Sequence, residues 1–244
     1  MSGGVGPTSA DIRLPKDVDD DDHHHPPPPS AAPRRRILTF RQLNMLAIIT
    51  VLSASGMVSP EDLAFSLFSL FYTLLLSRIA FPTTTPSLSP PPPVFGEKNL
   101  LLNAYVLTGA VVGLLLPIAY VFEGVREGDK EGIKAAAPHV FLLACQVFME
   151  GLTFSQGLSL PVRVFVPVFY NTKRIFTIVD WLRSEVAKVD EEFGSLRRLR
   201  VGRGLAVANL GFWAFNLFGF LLPVYFPRAF RLYYVGGSDK GKKV

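Results

Sequence analysis

From Leu43 onward the apolar positions of this 244-residue chain gather into blocks of roughly 16 to 24 residues with few charges between them. A soluble chain of this length would break its apolar residues into stripes at helical or strand spacing. A block of about 20 apolar residues instead matches ~30 Å of hydrocarbon at 1.5 Å rise per residue. Four such blocks run over 43–58, 63–81, 99–122 and 205–226, and a fifth, 138–154, is apolar enough to insert although it carries His139, Gln146 and Glu150. The pattern predicts an all-α fold: a polytopic integral membrane helix bundle of about five transmembrane helices. Tyr105, Tyr120, Tyr170, Tyr225, Tyr233, Tyr234 and Trp181 fall near block ends, where interfacial aromatics belong.

Two stretches depart from the block pattern. Residues 158–169, LSLPVRVFVPVF, are interrupted by Pro161, Arg163 and Pro167, which makes the run too short and too broken to span; a re-entrant or an interfacial segment is expected. Over 172–193, Ile175, Ile178 or Val179, Leu182, Val186, Val189 and Phe193 recur every three or four residues with charge between them, the signature of an amphipathic helix. Lys173, Arg174 and Arg183 lie on it and Arg197, Arg198, Arg200 and Arg203 follow it. These seven bases place the helix at the membrane surface against anionic headgroups; the alternative is a soluble helix packed on the bundle.

Composition sharpens the outline. The chain is 49% hydrophobic with a mean hydropathy of +0.30, even though residues 1–36 are almost wholly polar, small or proline. That segment holds Asp19 to Asp22, His23 to His25 and Pro26 to Pro29, and reads as a disordered tail with at most weak metal chelation. The bundle domain then covers 37–235 and a flexible basic tail 236–244. Pro82 to Val94 reads as a polyproline-type spacer between the second and third blocks. No apolar signal region precedes Ile37, so targeting is expected to reside in the first span or elsewhere.

Charge sets orientation. With five spans, most Lys and Arg fall on the side of the N-terminal tail, which makes that side cytosolic. The stretch Lys240-Gly241-Lys242-Lys243-Val244 resembles dilysine retrieval signals and favours the endoplasmic reticulum over the plasma or plastid membrane. Such signals are read in the cytosol, and five spans put this one on the other side.

Polar residues at membrane depth are costly and therefore point to function or to helix pairing. His139, Gln146 and Glu150 are seven and four residues apart and share one helix face; Asn209 and Asn216, seven apart, share another. The two stripes are either glue across a helix interface or the lining of a solute or proton path. Gly109 and Gly113 form a GxxxG pair that permits close helix approach. No HExxH, GxSxG, phosphate-loop or dinucleotide motif is present. Cys145 is the sole cysteine. No catalytic residue, metal site or cofactor is therefore assigned, and nothing supports nucleic-acid binding.

The stretches RQLNMLAIITVLSASGMVSPEDLAFSLFSLFYTLLLSRIAFP, GLLLPIAYVFEGVREGDKEGIKAAAPHVFLLACQVFMEG and LPVRVFVPVFYNTKRIFTIVDWL resemble a plant family of multi-pass membrane proteins of unknown function. The likeness covers about residues 36 to 235 and implies a plant origin and a membrane location, with no reaction or ligand attached. Three expectations follow for function. The first is a non-enzymatic protein that organises or assists partners through its basic helix, binding the bilayer, a protein partner or a second copy of itself. The second is a small solute or proton transporter using His139, Gln146 and Glu150. An intramembrane enzyme ranks last, since no paired acid and nucleophile is present.

Overall fold

The computed structural model describes residues 39–82, 94, 100–188 and 196–238. The tail 1–36, the spacer residues 83–93, the end of the expected amphipathic helix at 189–193 and the basic stretch 239–244 lie outside the described residues.

Local chemistry sets the helix starts. Helix α1, Phe40–Ala54, opens with a capping box in which Thr39 Oγ1 accepts from Gln42 N–H and the Gln42 side chain accepts from Thr39 N–H at 2.8 Å. Helix α2, Pro60–Arg78, follows a turn at Gly56 (φ 70°) and is capped by Ser59, with Pro60 in the first turn where its missing N–H costs nothing. Helix α3 is continuous over Leu100–Glu127, with a π-helical segment at Val111–Leu115 just before Pro117, and it stops at Gly128 (φ 74°). Helix α4, Lys130–Ser155, is capped by Asp129. Helix α5 is Leu160–Ala187. Helix α6 joins an α-helical segment Leu196–Ala214, a π-helical segment Phe215–Tyr225 containing Pro223, and a final α-helical segment Phe226–Ser238.

Helix α4 forms the centre. Its side chains from Ala136 to Gln146 are buried almost without interruption, because α1, α3 and α5 pack around it and α6 closes on α5. Phe141, Leu142, Cys145 and Met149 of α4 meet Val166 and Tyr170 of α5 in the largest core cluster. Helix α2 lies on α5 through an aromatic ladder, Phe65 on Phe169 at 4.7 Å and Tyr72 on Phe165 at 5.3 Å between ring centroids. The outer faces are apolar too: Phe71 of α2 and Phe122 of α3 are 67% and 68% exposed. Large exposed apolar patches of this kind mark interaction surfaces, toward another protein or toward lipid.

Among the described residues three helices, Leu100–Glu127, Lys130–Ser155 and Leu196–Val235, are long and apolar enough to cross a membrane. The five expected spans are thus reduced to three on this criterion. The block 43–58 becomes α1, apolar but only 15 residues long, and the block 63–81 becomes a helix that begins three residues earlier and takes in Glu61 and Asp62. Helix α5 departs further from expectation. The proline-broken run and the first part of the amphipathic helix are one helix of 28 residues. Pro161 falls in its first turn, and Pro167 sits inside it, tolerated because α4 and α6 pack around the disturbed turn.

Candidate functional site

Pro117 has no N–H, and the π segment before it shifts the ladder from a four-residue to a five-residue step. Leu116 N bonds Val111 O and Pro117 has no N–H, so Val112 O and Gly113 O both lack the donor that a regular α-helix would give them. Side chains of two other helices make up the deficit: His139 Nε2 bonds Gly113 O at 2.8 Å and Asn209 Nδ2 bonds Val112 O at 3.1 Å. A carbonyl only accepts, so His139 carries its proton on Nε2. The ring is fully buried beside Trp181 and Trp213, and Asn209 Oδ1 in turn accepts from Trp213 Nε1 at 3.2 Å. Gly109 and Gly113 face α6 closely; a Cβ on Gly113 would stand 2.5 Å from Trp213 Cζ2.

Further along α4 the stripe continues into a chain of hydrogen bonds. Arg174, fully buried, donates from Nη1 to Gln146 Oε1 at 2.7 Å and from Nη2 to Asn171 Oδ1 at 3.0 Å. Its guanidinium lies 3.7 Å from the centre of the Trp213 ring. Gln146 Nε2 then donates to Glu150 Oε1 at 2.8 Å. Arg174 and Glu150 are thus opposite charges joined through one amide.

Gln146 and Glu150 open onto a half-open cavity of about 580 Å³ lined by α1, α3, α4, α5 and α6. Most of its wall is apolar. The polar exceptions are Arg41, Tyr105, Asn216, Arg163 and Tyr225 together with that pair. Tyr105 OH donates to Asn216 Oδ1 at 2.6 Å. Arg163 is 6% exposed, its Nε has no hydrogen-bond partner, and its guanidinium sits 4.6 Å from the Phe154 ring centre.

A second polar cluster ties the ends of α3, α5 and α6. Glu185, fully buried, accepts from Tyr120 OH at 2.8 Å and from Lys188 Nζ at 2.9 Å. Arg198 Nε donates to Asp129 Oδ2 at 2.7 Å, and Arg203 bonds the backbone carbonyls of Glu185 and Lys188 at 2.9 and 2.7 Å. Asp129 lies between α3 and α4, outside both helices. Burial pushes its carboxyl up, but the Gly132 N–H, Arg198 and Lys188 together outweigh this and hold it below the usual carboxylate value.

The sequence-derived residues thus separate. Gln146, Glu150 and Asn216 converge on the cavity, whereas His139 and Asn209 lie off it and hold α3. The two expected stripes are linked mainly through α3 and α5. The basic group divides as well. Arg183, Arg197 and Arg200 are exposed, Lys173 pairs with Asp62 at 3.1 Å, and Arg174 and Arg198 are buried, against the expectation of a surface row. The physical reason is that both buried guanidinia find protein acceptors and aromatic faces. Arg163, Asp129 and Glu185 were not singled out as site residues by sequence. For Arg163 a signal existed, a lone base within an apolar run.

A family model described as a domain of unknown function, DUF7733, matches residues 38–234. No curated protein and no solved structure matches the chain.

Proposed function

We propose, for a chain that belongs to the DUF7733 family of unknown function, the role of a multi-pass membrane protein that holds a small molecule within its helix bundle, as a carrier or transporter and not as a catalyst. The observation that carries this reading is the ~580 Å³ cavity on which Gln146, Glu150 and Asn216 converge. Its volume falls in the range of about 300–1,000 Å³ typical of small-molecule sites, and a mostly apolar wall with a few placed polar groups is their usual make-up.

Membrane insertion is supported by the three apolar helices and by the exposed aromatic and aliphatic faces of α2 and α3. Helix α5 is a fourth crossing in this proposal: 28 residues reach about 42 Å, and its bases Lys173 and Arg174 are answered by protein. The α1–α2 hairpin either crosses twice or turns back, so the number of crossings is even, six or four, in place of the expected five. An even number of crossings removes the conflict between the dilysine resemblance and the charge distribution, and supports the endoplasmic reticulum in this proposal.

A second reading, attachment of partners or anionic lipid, keeps only the exposed Arg183, Arg197 and Arg200 as its support. Charge reversal at these three positions separates it from the first reading, since none of them lines the cavity.

The test is extraction of purified protein and mass spectrometry of what accompanies it. Val147→Trp and Ala110→Leu fill the cavity from two different helices. A species present with the native protein and lost from both correctly folded variants is the expected result; identical extracts overturn the reading.

A further inference from the structure

The charges around the cavity do not balance. Glu150 is matched by Arg174 through Gln146 and lies within electrostatic reach of Arg41. Arg163 has no such partner: no carboxylate among the described residues lies within ion-pair distance of it, and its Nε is buried without an acceptor. A guanidinium cannot shed its proton to escape this situation. Burying a charge without a counter-ion costs several kcal/mol, about as much as the whole stability of many domains, so a buried arginine that lines a cavity with an orphaned Nε and no carboxylate beside it is a seat open to an anion. The stacking contact with Phe154 supplies none, because a ring face offers no lone pair to Nε.

We propose that the cavity takes a single-chain amphiphile with an anionic head, the head seated on Arg163 and the chain laid along the apolar wall formed by Leu102, Val106, Leu114, Val147 and Phe220. This rests on the proposed ligand-binding role and adds the class of ligand. A carboxylate or a phosphate oxygen presents the paired acceptors that the guanidinium fork fits. One negative charge restores neutrality at Arg163 while leaving the Glu150–Gln146–Arg174 chain intact. Glu150 on the same cavity sets a limit: a cationic amphiphile would be drawn to Glu150 but would meet Arg163 and Arg41, so the summed field selects the anion. Arg41, exposed at the start of α1, lies at the rim where it meets the head first.

The full-length protein in nanodiscs of neutral phosphatidylcholine is photolabelled with a diazirine-bearing palmitate, with oleate, lysophosphatidate, monoolein or oleylamine as competitor. Labelling is expected on cavity peptides, and oleate or lysophosphatidate, or both, should compete while monoolein and oleylamine do not; which of the two anions wins identifies a carboxylate or a phosphate head. Arg163→Gln should lower labelling roughly ten- to a hundredfold, the effect of a lost charged hydrogen-bond pair, and Arg163→Lys should keep part of it. Full labelling of Arg163→Gln, or displacement by oleylamine as readily as by oleate, overturns the assignment of the head. Loss of labelling in Val147→Trp with no effect of Arg163→Gln leaves the cavity reading standing and removes only this inference. Full labelling in both Val147→Trp and Ala110→Leu removes both. Arg163→Lys, which retains the charge, guards against a glutamine variant that fails to fold.

Discussion

Pro117 and the π step before it leave two carbonyls without their usual helix donors, and two other helices supply His139 and Asn209 in their place. His139→Phe leaves Gly113 O with no donor and is expected to cost about 1–2 kcal/mol in detergent unfolding. Pro117→Ala returns one N–H to the pair of carbonyls, so it should recover much of the loss in a His139→Phe background. It should not rescue His139→Phe combined with Asn209→Leu, because one amide cannot serve two carbonyls. Equal cost of His139→Phe with proline or alanine at 117 would contradict this account. Asp129 gives a pH dependence. Its folded value lies below the ordinary 3.8, so its contribution is complete above that value and is lost as the pH falls through the folded one. Asp129→Asn keeps the cap to Gly132 N but removes the titration, and its melting temperature should fall less steeply than that of the native protein below about pH 4.

At the scale of elements, the spacing of apolar residues located the cores of α3, α4 and α6, since long apolar blocks leave few alternatives to a helix. It mistook α5. Pro161, Arg163 and Pro167 looked like interruptions, and Lys173 and Arg174 looked like part of a basic row at the membrane surface, because hydropathy cannot register acceptors that other helices supply. The same blindness hid Arg163, whose importance lies in the acceptor it lacks. Gln146, Glu150 and Asn216 were legible from helical spacing alone, while the split of His139 and Asn209 away from them depends on Pro117 in a third helix. The GxxxG reading meets its structural counterpart in the approach of Gly109 and Gly113 to Phe212 and Trp213. Gly113→Ala should destabilise by about 1–3 kcal/mol, the range for overpacking. Gly211→Ala, with nothing within 4 Å of the added carbon, should be neutral or stabilise by up to about 1 kcal/mol through helix propensity. Thermal unfolding of the two variants in the same detergent makes the comparison, and equal shifts would remove the close-packing argument.

For the molecule as a whole, the buried Cys145 is useful because it is the only cysteine and is 5% exposed. Native protein should therefore resist a membrane-impermeant maleimide. Lys130→Cys and Gln156→Cys place exposed thiols at opposite ends of α4, about 39 Å apart along its axis. In sealed vesicles the two should label from opposite faces; labelling from one face would show that α4 does not cross.

The cluster that joins Asp129 and Glu185 to Arg198 and Arg203 also orders events during synthesis. The ribosome delivers both acids before it makes the two arginines at the head of α6. Until those arrive, Asp129 lacks its closest cation and the far end of α5 lacks the side chain that ties its last carbonyls. Helices α3 to α5 can form one after another, but the end of the bundle where they meet closes only when the final helix arrives. A chain released before Leu196 would thus hold its earlier helices with the latch still open.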